Sequence, residues 1–560
     1  MMSTLLMKAD LLFQHATQAY NYVLAEAELF GASYLALPAF FDHAVARITE
    51  LGIASEREIR FLLLLLLAYV FAFVYRCLRS PRWRHVFSVC AGAALGQTFC
   101  GATGWLYPLL AALVSFQFIH VLGPSRAAPA VFVFNLLFLF ALHLHRQLTD
   151  PFGWHLDATF MQMIVTQKLS ALALNLSDGL EKPSRVDSQS TRNQNAVRKT
   201  PSMLELLAFV FFPPCFLMGP TIEYMDWYQN AHDFLPSQLH NRQSTGSAPA
   251  GAAPNARPSI RSSVAASSLR FLQALLFLTC FQAANAKFPS DLLADAGWLQ
   301  QHRASGIFWL YMRIWLSLLG LRCKYYFGFK IAEGAAIMSG VGFTGYLTPS
   351  TRELNPRQTA TTLRRESLET SARFDRVTTI DVLGFELAGS IRDAAAAWNK
   401  PTNTWLRRYV YERLPRRYQL DLYGTYVVSA LWHGIAPGYY MFFVTSAFLT
   451  SLERQWRRVL RDLGLDRKIQ QHLVLSVAVR TFTWAWTSAM LNYFIISFVV
   501  LTSDRSYLVW STLSWWGHKL LLLELIITMF VRILTLLATN AAHAARPKPT
   551  PETTRRKIDE

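Results

Sequence analysis

A chain of 560 residues that is 52% hydrophobic and 14% aromatic but only 16% charged lacks the makeup of a soluble globular protein, in which roughly a quarter of residues are charged. With a mean hydropathy of +0.22 and several apolar runs near the roughly 20 residues of a membrane-crossing helix, the composition predicts an all-α, multi-pass transmembrane protein. Those runs are continuous rather than alternating, which argues against a strand barrel. The formal charge of +18 lies mainly in connecting segments, as the positive-inside rule gives for cytosolic loops; there it can attract anionic lipid or substrate phosphates, and no motif for nucleic acid accompanies it.

In chain order, residues 20–48 mix polar and apolar positions and read as amphipathic or peripheral helices. The start of the chain has no basic leader before a short apolar core, so no cleaved signal peptide is expected. Residues 61–75 form an unbroken apolar run with Arg60 before it and Arg76, Arg79 and Arg82 after it, a span ending on the cytosolic side. Residues 86–122 carry Gly92, Gly96, Gly101 and Gly104, small residues that let membrane helices pack closely; the length suits two short spans or one span with a re-entrant piece. Residues 128–142 are a further span. Residues 161–179 are apolar, interrupted by Lys168, and end at Asp178-Gly179, which reads as a helix terminus feeding a turn.

Residues 181–203 are polar, basic and aperiodic, hence a flexible loop. In residues 206–222, Pro213, Pro214 and Gly219-Pro220 break the helix, which membrane depth tolerates where protein covers the backbone or a cavity is lined. Residues 236–268 are rich in Ser, Ala, Pro, Asn and Arg without one acid and read as a disordered insertion. Spans follow at 269–286, 306–321 and 325–347, the last carrying Glu333 three residues after Lys330, the spacing of a helical ion pair. Residues 348–376 read as a polar loop, and 377–398 as an amphipathic helix at the membrane interface. After a basic stretch from Lys400 to Arg417 come a stretch at 423–450 that holds His433, a charged loop at 453–468, and spans at about 473–501 and 507–538. The expectation is about ten or eleven spans in one membrane domain covering 1–546, with 547–560 as a polar, basic tail. The six cysteines Cys77, Cys90, Cys100, Cys215, Cys280 and Cys323 form no CxxC pair and read as free thiols, with no metal site.

Chemistry concentrates in two stretches. Residues 429–443 place one imidazole, His433, in an otherwise uncharged and mostly apolar run. An ionisable group at membrane depth is costly and therefore a functional candidate; a helix–helix hydrogen bond is the plainer explanation for it. Upstream, residues 398–414 read Trp398-Asn399-Lys400-Pro401-Thr402-Asn403-Thr404-Trp405-Leu406-Arg407 and onward to Leu414.

These stretches resemble the membrane-bound O-acyltransferase (MBOAT) family and, within it, the lysophospholipid acyltransferase branch. Trp432-His433-Gly434-Ile435-Ala436-Pro437-Gly438-Tyr439-Tyr440 is similar to the family's W-H-G-x-x-P-G-Y-Y, and 398–413 to its W-N-x-x-T-N-x-W-L-R-x-x-V-Y-x-R. Phe216-Leu217-Met218-Gly219-Pro220 looks like its F-L-x-G-P, while Asp178-Gly179 and Glu333-Gly334 stand where it carries D-G and E-G. His433 follows Asn399 by 34 residues, close to the family's gap. The F-Y-x-D-W-W segment of the sterol and diacylglycerol branch is missing before Asn399, where the residues are Arg392-Asp393-Ala394-Ala395-Ala396-Ala397-Trp398.

The resemblance implies a helical fold around an intramembrane reaction chamber, in the endoplasmic reticulum membrane, and transfer of a fatty acyl group from acyl-CoA to the free hydroxyl of a lysophospholipid, as in phospholipid remodelling. Acyl-CoA would be a co-substrate, with no bound cofactor; the oligomeric state is left open. His433 and Asn399 would be catalytic. Substrate would be bound by Trp398, Asn403, Trp405, Trp432, Gly434, Gly438, Tyr439, Asp178 and Glu333. A neutral histidine can take the hydroxyl proton as the oxygen attacks the thioester, which is worth roughly 10²–10⁴-fold. An asparagine amide can donate to the developing oxyanion, or hold the substrate or the imidazole. A thioester is already activated, so no metal is required. The arginines after Asn399 can receive CoA phosphates or form a solvated face, and for single residues the second is preferred. Other readings are a sterol, diacylglycerol or protein acceptor; a transporter with His433 and Glu333 on an ion path; and an acyl-cysteine route through Cys215, which lacks an activating base.

Overall fold

The computed structural model describes residues 2–37, 39–52, 54–151, 156–180, 191–232, 258–346 and 372–544. In chain order the helices are α1 (Met2–Tyr34), α2 (Ala39–Thr49), α3 (Glu56–Cys77), α4 (Pro81–Cys100), α5 (Ala102–Thr149), α6 (Ala158–Asp178), α7 (Thr191–Asn195), α8 (Met203–Val210), α9 (Tyr224–His232), α10 (Ile260–Lys287) and α11 (Ala296–Arg303). They continue with α12 (Ile307–Ser339), α13 (Val382–Glu386), α14 (Ile391–Ala397), α15 (Lys400–Tyr409), α16 (Leu420–His433), α17 (Pro437–Asp462), α18 (Leu465–Gln471), α19 (Leu473–Val500), α20 (Ser503–Thr512) and α21 (Trp516–Ala544). Among the described residues the strands are two residues each, Gly345–Tyr346 pairing antiparallel with Ala372–Arg373.

Local chemistry sets several helix starts. Ser55 with Glu58, and Ser202 with Glu205, form capping boxes at α3 and α8, each satisfying two backbone donors that have no intrahelical partner. Among the described residues, four helices are long and apolar enough to cross a membrane, namely α3, α5, α10 and α19. The bent pair Thr17–Tyr34 and Ala39–Thr49 would make five.

Several expected boundaries move. Residues 306–321 and 325–347 are not two spans: α12 runs unbroken through Arg322, Cys323 and Lys324 to Ser339, because charged residues lower hydropathy without breaking a helix. The single interfacial helix expected at 377–398 is instead the short α13 and α14 after an extended segment. The span expected at 507–538 is α20 and α21, parted by Ser514 and Trp515 in left-handed backbone. The run at 128–142 lies in α5, which breaks at Gly123.

The loop at 181–203 is in part built structure. Residues 181–190 lie outside the described residues, but α7 follows, and buried Val197 donates its N–H to Asn175 O at 2.9 Å, a carbonyl that also accepts from Gly179 N at 3.0 Å. Of the insertion at 236–268, residues 236–257 lie outside the described residues, whereas α10 starts at Ile260 with Ser259 as its cap. Ser262, Ser263 and Ser267 are buried there, and small residues chosen for close packing give the same composition as a low-complexity tract. Residues 348–371 and the tail 547–560 lie outside the described residues.

The chain divides into two compact units. The first comprises Met1–Ser290, Leu316–Val382 and Ala397–Ala436; the second comprises Asp291–Trp315, Leu383–Ala396 and Pro437–Glu560. At the centre of the first stands α6, buried on nearly every face, polar positions included. Phe209, Phe211, Phe212 and Phe216 pack in the same core, each contributing roughly 1.5–3 kcal/mol on full burial. Lys168, fully buried, donates to Phe209 O at 3.0 Å and Val210 O at 3.1 Å. The ammonium thus caps the helix that Pro213 and Pro214 prevent from continuing. In the second unit, Glu453 on α17 accepts from Ile391 N at 2.7 Å, and Trp484 on α19 donates to Glu386 O at 2.8 Å.

Candidate active site

The basic stretch after Asn399 folds onto α6 rung by rung. Gln167 Nε2 donates to Thr402 Oγ1 at 3.0 Å, and Trp405 Nε1 to Ser170 Oγ at 3.0 Å. Tyr409 Oη lies 3.0 Å from Asn175 Oδ1, and Arg413 donates to both oxygens of Asp178 at 3.1 and 2.5 Å. Partner numbers rise together at an offset of 234 or 235 residues, so α15 and the turn after it run parallel to α6. The α6 partners recur every three to five residues, which places them along one helical face. Glu223 closes the row, accepting from Arg408 Nη1 at 3.0 Å, Tyr409 Oη at 2.8 Å and Asn175 Nδ2 at 3.1 Å. Asp178 is the helix-terminal residue that its Asp-Gly pair implies, and it is also an ion-pair partner. Arg408 and Arg413 are therefore directed inward onto carboxylates, whereas Arg407 is exposed beside Glu412.

Asn399 sits at the head of α15 with φ 37° and ψ 58°. Asparagine is among the few L-residues that enter this left-handed region readily. The backbone on both sides of it is tied down: Lys400 N donates to Thr379 O at 2.7 Å, and Asp381 N to Ala397 O at 3.0 Å. The segment 379–381 is anchored in turn by Glu333, which is fully buried and accepts from Thr379 N at 2.6 Å and Ile380 N at 3.2 Å. Lys330 at 2.9 Å and Arg270 at 3.1 Å neutralise the same carboxylate. Trp398 is boxed by rings from the helix that carries Glu333, with centroids 5.8 Å from Tyr325, 5.8 Å from Tyr326 and 5.7 Å from Phe329. Helix α12 therefore holds the Asn399 turn by charge on one side and by aromatic packing on the other. Asn403, half-buried one turn later, donates its backbone N–H to Asn399 O at 3.0 Å.

His433 is the last residue of α16. Gly434 follows with φ 144° and ψ −168°, a conformation that a side chain would strain, and the chain turns away there. The half-buried imidazole donates from Nδ1 to Ser429 O at 2.7 Å. A carbonyl only accepts, so Nδ1 carries the proton and the lone pair of the neutral ring lies on Nε2. His43, His120, His232 and His302 make the same contact four residues back, so that bond is a habit of helical histidines. His433 ends its helix directly after an anchored tryptophan. Trp432 lies edge-on to it at 4.7 Å and donates from its indole to Met163 O at 2.9 Å. Trp405, Tyr409 and Trp432 share one apolar cluster with Leu139 and Ala171. In this way α5 and α6 carry both motif helices.

The first unit thus holds His433, Asn399, Trp398, Asn403, Trp405, Trp432, Gly434, Asp178 and Glu333. Gly438 and Tyr439 belong to the second unit. Gly438 N donates to Leu501 O at 2.7 Å, and a Cβ there would lie 2.0 Å from Ser497 O; the Tyr439 ring is 4.7 Å from Phe498. Reading the sequence missed Gln167, Ser170, Asn175 and Glu223. Their signal was present for three of them, as polar residues recurring near helical spacing in a run otherwise apolar. Among the described residues no group of three or more His, Cys, Asp and Glu is placed to hold a metal ion.

A sequence profile of the MBOAT, membrane-bound O-acyltransferase, family matches residues 97–496. The chain is 28% identical over 487 residues to "Lysophospholipid acyltransferase" of Schizosaccharomyces pombe, covering 85% of this chain and 86% of that protein. It is 24% identical to "Lysophospholipid acyltransferase 2" of Arabidopsis thaliana, covering 86% and 94%. With "Membrane-bound glycerophospholipid O-acyltransferase 2" of Homo sapiens it shares 27% identity, covering 79% and 78%.

Proposed function

The chain belongs to the membrane-bound O-acyltransferase family, and from that premise we propose that it transfers a fatty acyl group from acyl-CoA to the free hydroxyl of a lysophospholipid. The similar proteins named for lysophospholipid acyl transfer, each aligned over more than three quarters of this chain, support the acceptor class. The observation that carries the chemistry is the His433 tautomer: with Nδ1–H on Ser429 O, Nε2 is the nitrogen able to take a proton.

The reaction balances without a further reagent. Nε2 of His433 takes the hydroxyl proton as the lysophospholipid oxygen bonds to the thioester carbon. The carbonyl electrons move to oxygen, where the Asn399 amide can donate to them. Collapse re-forms the carbonyl and breaks the carbon–sulfur bond. The CoA thiolate leaves with the proton returned by the imidazolium, giving free CoA and the diacyl phospholipid. Trp398 and Asn403 contact substrate in this scheme, while Trp405, Trp432, Gly434, Asp178 and Glu333 shape the site around it; Gly438 and Tyr439 are separate substrate-binding candidates of the second unit. Acyl-CoA is the co-substrate, with no resident cofactor.

The protein is an integral membrane protein, as its family and its apolar helices require. The finer proposal is a single membrane domain over 1–546, crossing about ten or eleven times around a reaction chamber in the endoplasmic reticulum membrane. The test is competition in detergent with oleoyl-CoA and lysophosphatidylcholine, lysophosphatidylethanolamine, lysophosphatidylinositol, cholesterol, diacylglycerol and a serine peptide. Selective acylation of a lysophospholipid is expected. Preferential acylation of cholesterol, diacylglycerol or the peptide would overturn the acceptor while leaving the histidine chemistry standing.

A further inference from the structure

His143 lies outside every motif that marks the site, yet it touches the residue next to the base. It sits on α5 one turn after Leu139, which belongs to the Trp405–Trp432 cluster, and it is only 7% exposed. Its Nε2 is 3.2 Å from Trp432 O. The carbonyl only accepts, so this nitrogen of His143 carries the proton and donates.

The position of that carbonyl gives the contact its meaning. Helix α16 ends at His433, and the last four carbonyls of a helix have no intrahelical partner. Gly434 N satisfies Ala430 O at 3.0 Å, and His143 satisfies Trp432 O. The Trp432 side chain is fixed separately through Met163 O on α6. Trp432 is therefore held at both its side chain and its carbonyl, by two different helices. The carbonyl belongs to the peptide plane that joins Trp432 to His433. Fixing that plane fixes the Cα position of His433, from which the Nδ1 bond to Ser429 O holds the ring. A general base must meet its proton at hydrogen-bond distance, and a misplacement of about 1 Å can cost about 100-fold in rate.

We propose that His143 is a positioning residue for the general base, acting by hydrogen-bond donation to the Trp432 carbonyl. This rests on the reading of His433 as that base. His143 needs only its donor and not its ability to titrate.

The experiment compares His143→Gln with His143→Met in the full-length protein, purified in detergent, with oleoyl-CoA and lysophosphatidylcholine. The two side chains have similar length, but only glutamine can donate from the end of its chain. kcat, KM and the melting temperature are measured for each, with His433→Ala alongside. The Met variant is expected to lose about 10- to 100-fold in kcat with KM within about twofold, while the Gln variant recovers to within about threefold of wild type. Equal kcat in the Met variant and wild type would overturn the proposal, as would equal losses in both variants. If the Met variant yields no folded protein, the Gln variant decides: near-wild-type kcat supports the donor role, and a loss beyond about tenfold at unchanged melting temperature overturns it. Turnover persisting in His433→Ala would instead remove the base itself, a failure separate from that of His143.

Discussion

The Asn399 turn and the His433 helix end are held by different physics, though both lie in the same unit. Around Asn399 the anchor is ionic: a buried carboxylate, two cations, and two backbone N–H groups that tie down the neighbouring segment. Around His433 the anchors are neutral donors on carbonyls, the Trp432 indole and His143, set within aromatic packing. The contrast teaches that neither anchor of this helix end brings a carboxylate to the proton-transferring group. A carboxylate beside an imidazole would favour its protonated form, and a base must begin neutral. The asparagine carries no proton in the reaction, so charge can be concentrated behind its turn without that penalty.

Breaking each side tests this division. His433→Ala should have the largest effect, removing roughly 10²–10⁴-fold of turnover while the protein still inserts in the membrane; acyl transfer and membrane fractionation on the same preparation check it. Glu333→Gln comes next. It leaves Lys330 and Arg270 facing a neutral amide, and breaking a buried ion pair costs about 3–5 kcal/mol. A lowered melting temperature, partly restored in the Glu333→Gln, Lys330→Met double variant, is the expected reading.

Asn399 separates chemistry from backbone. Both Asn399→Gly and Asn399→Ala should lose an oxyanion donor, worth about 10²–10³ in kcat, with an unshifted pH profile for what remains. The alanine variant should also lose about 1–2 kcal/mol of stability, because alanine resists the left-handed conformation that glycine accepts. Equal melting temperatures for the two would show that the turn is not held as described. The smallest effect on turnover is expected from Trp405→Phe, which loses the bond to Ser170 Oγ and part of a buried ring, a stability loss of about 1–3 kcal/mol measurable by thermal unfolding.

Local pattern made part of this arrangement legible. Lys330 and Glu333 stand three apart on one helix, and their pair could be read from spacing. The further partners of Glu333, namely Arg270 and the backbone N–H groups of Thr379 and Ile380, come from far along the chain, and no local rule points to them. Gln167, Ser170 and Asn175 could be recognised as a buried polar row, but their partners on α15 are a matter of tertiary register. Hydropathy divided α12 at Arg322–Lys324 because a window sums side chains, whereas a helix ends where its backbone bonds end. The start of α10 was hidden for the opposite reason: serine and alanine that pack closely have the composition of a linker.

The constant offset between α6 and α15 bears on how this protein tolerates changes in length. Residues added between 178 and 402 leave the rungs in step, provided that both helices keep their own numbering within the paired stretch. One residue inserted between Thr402 and Trp405 would turn everything after it by about 100°. Trp405, Tyr409 and Arg413 would then lose Ser170, Asn175 and Asp178 together, while Thr402 kept Gln167. Viable indels should therefore be confined to the connection, with none inside either helix.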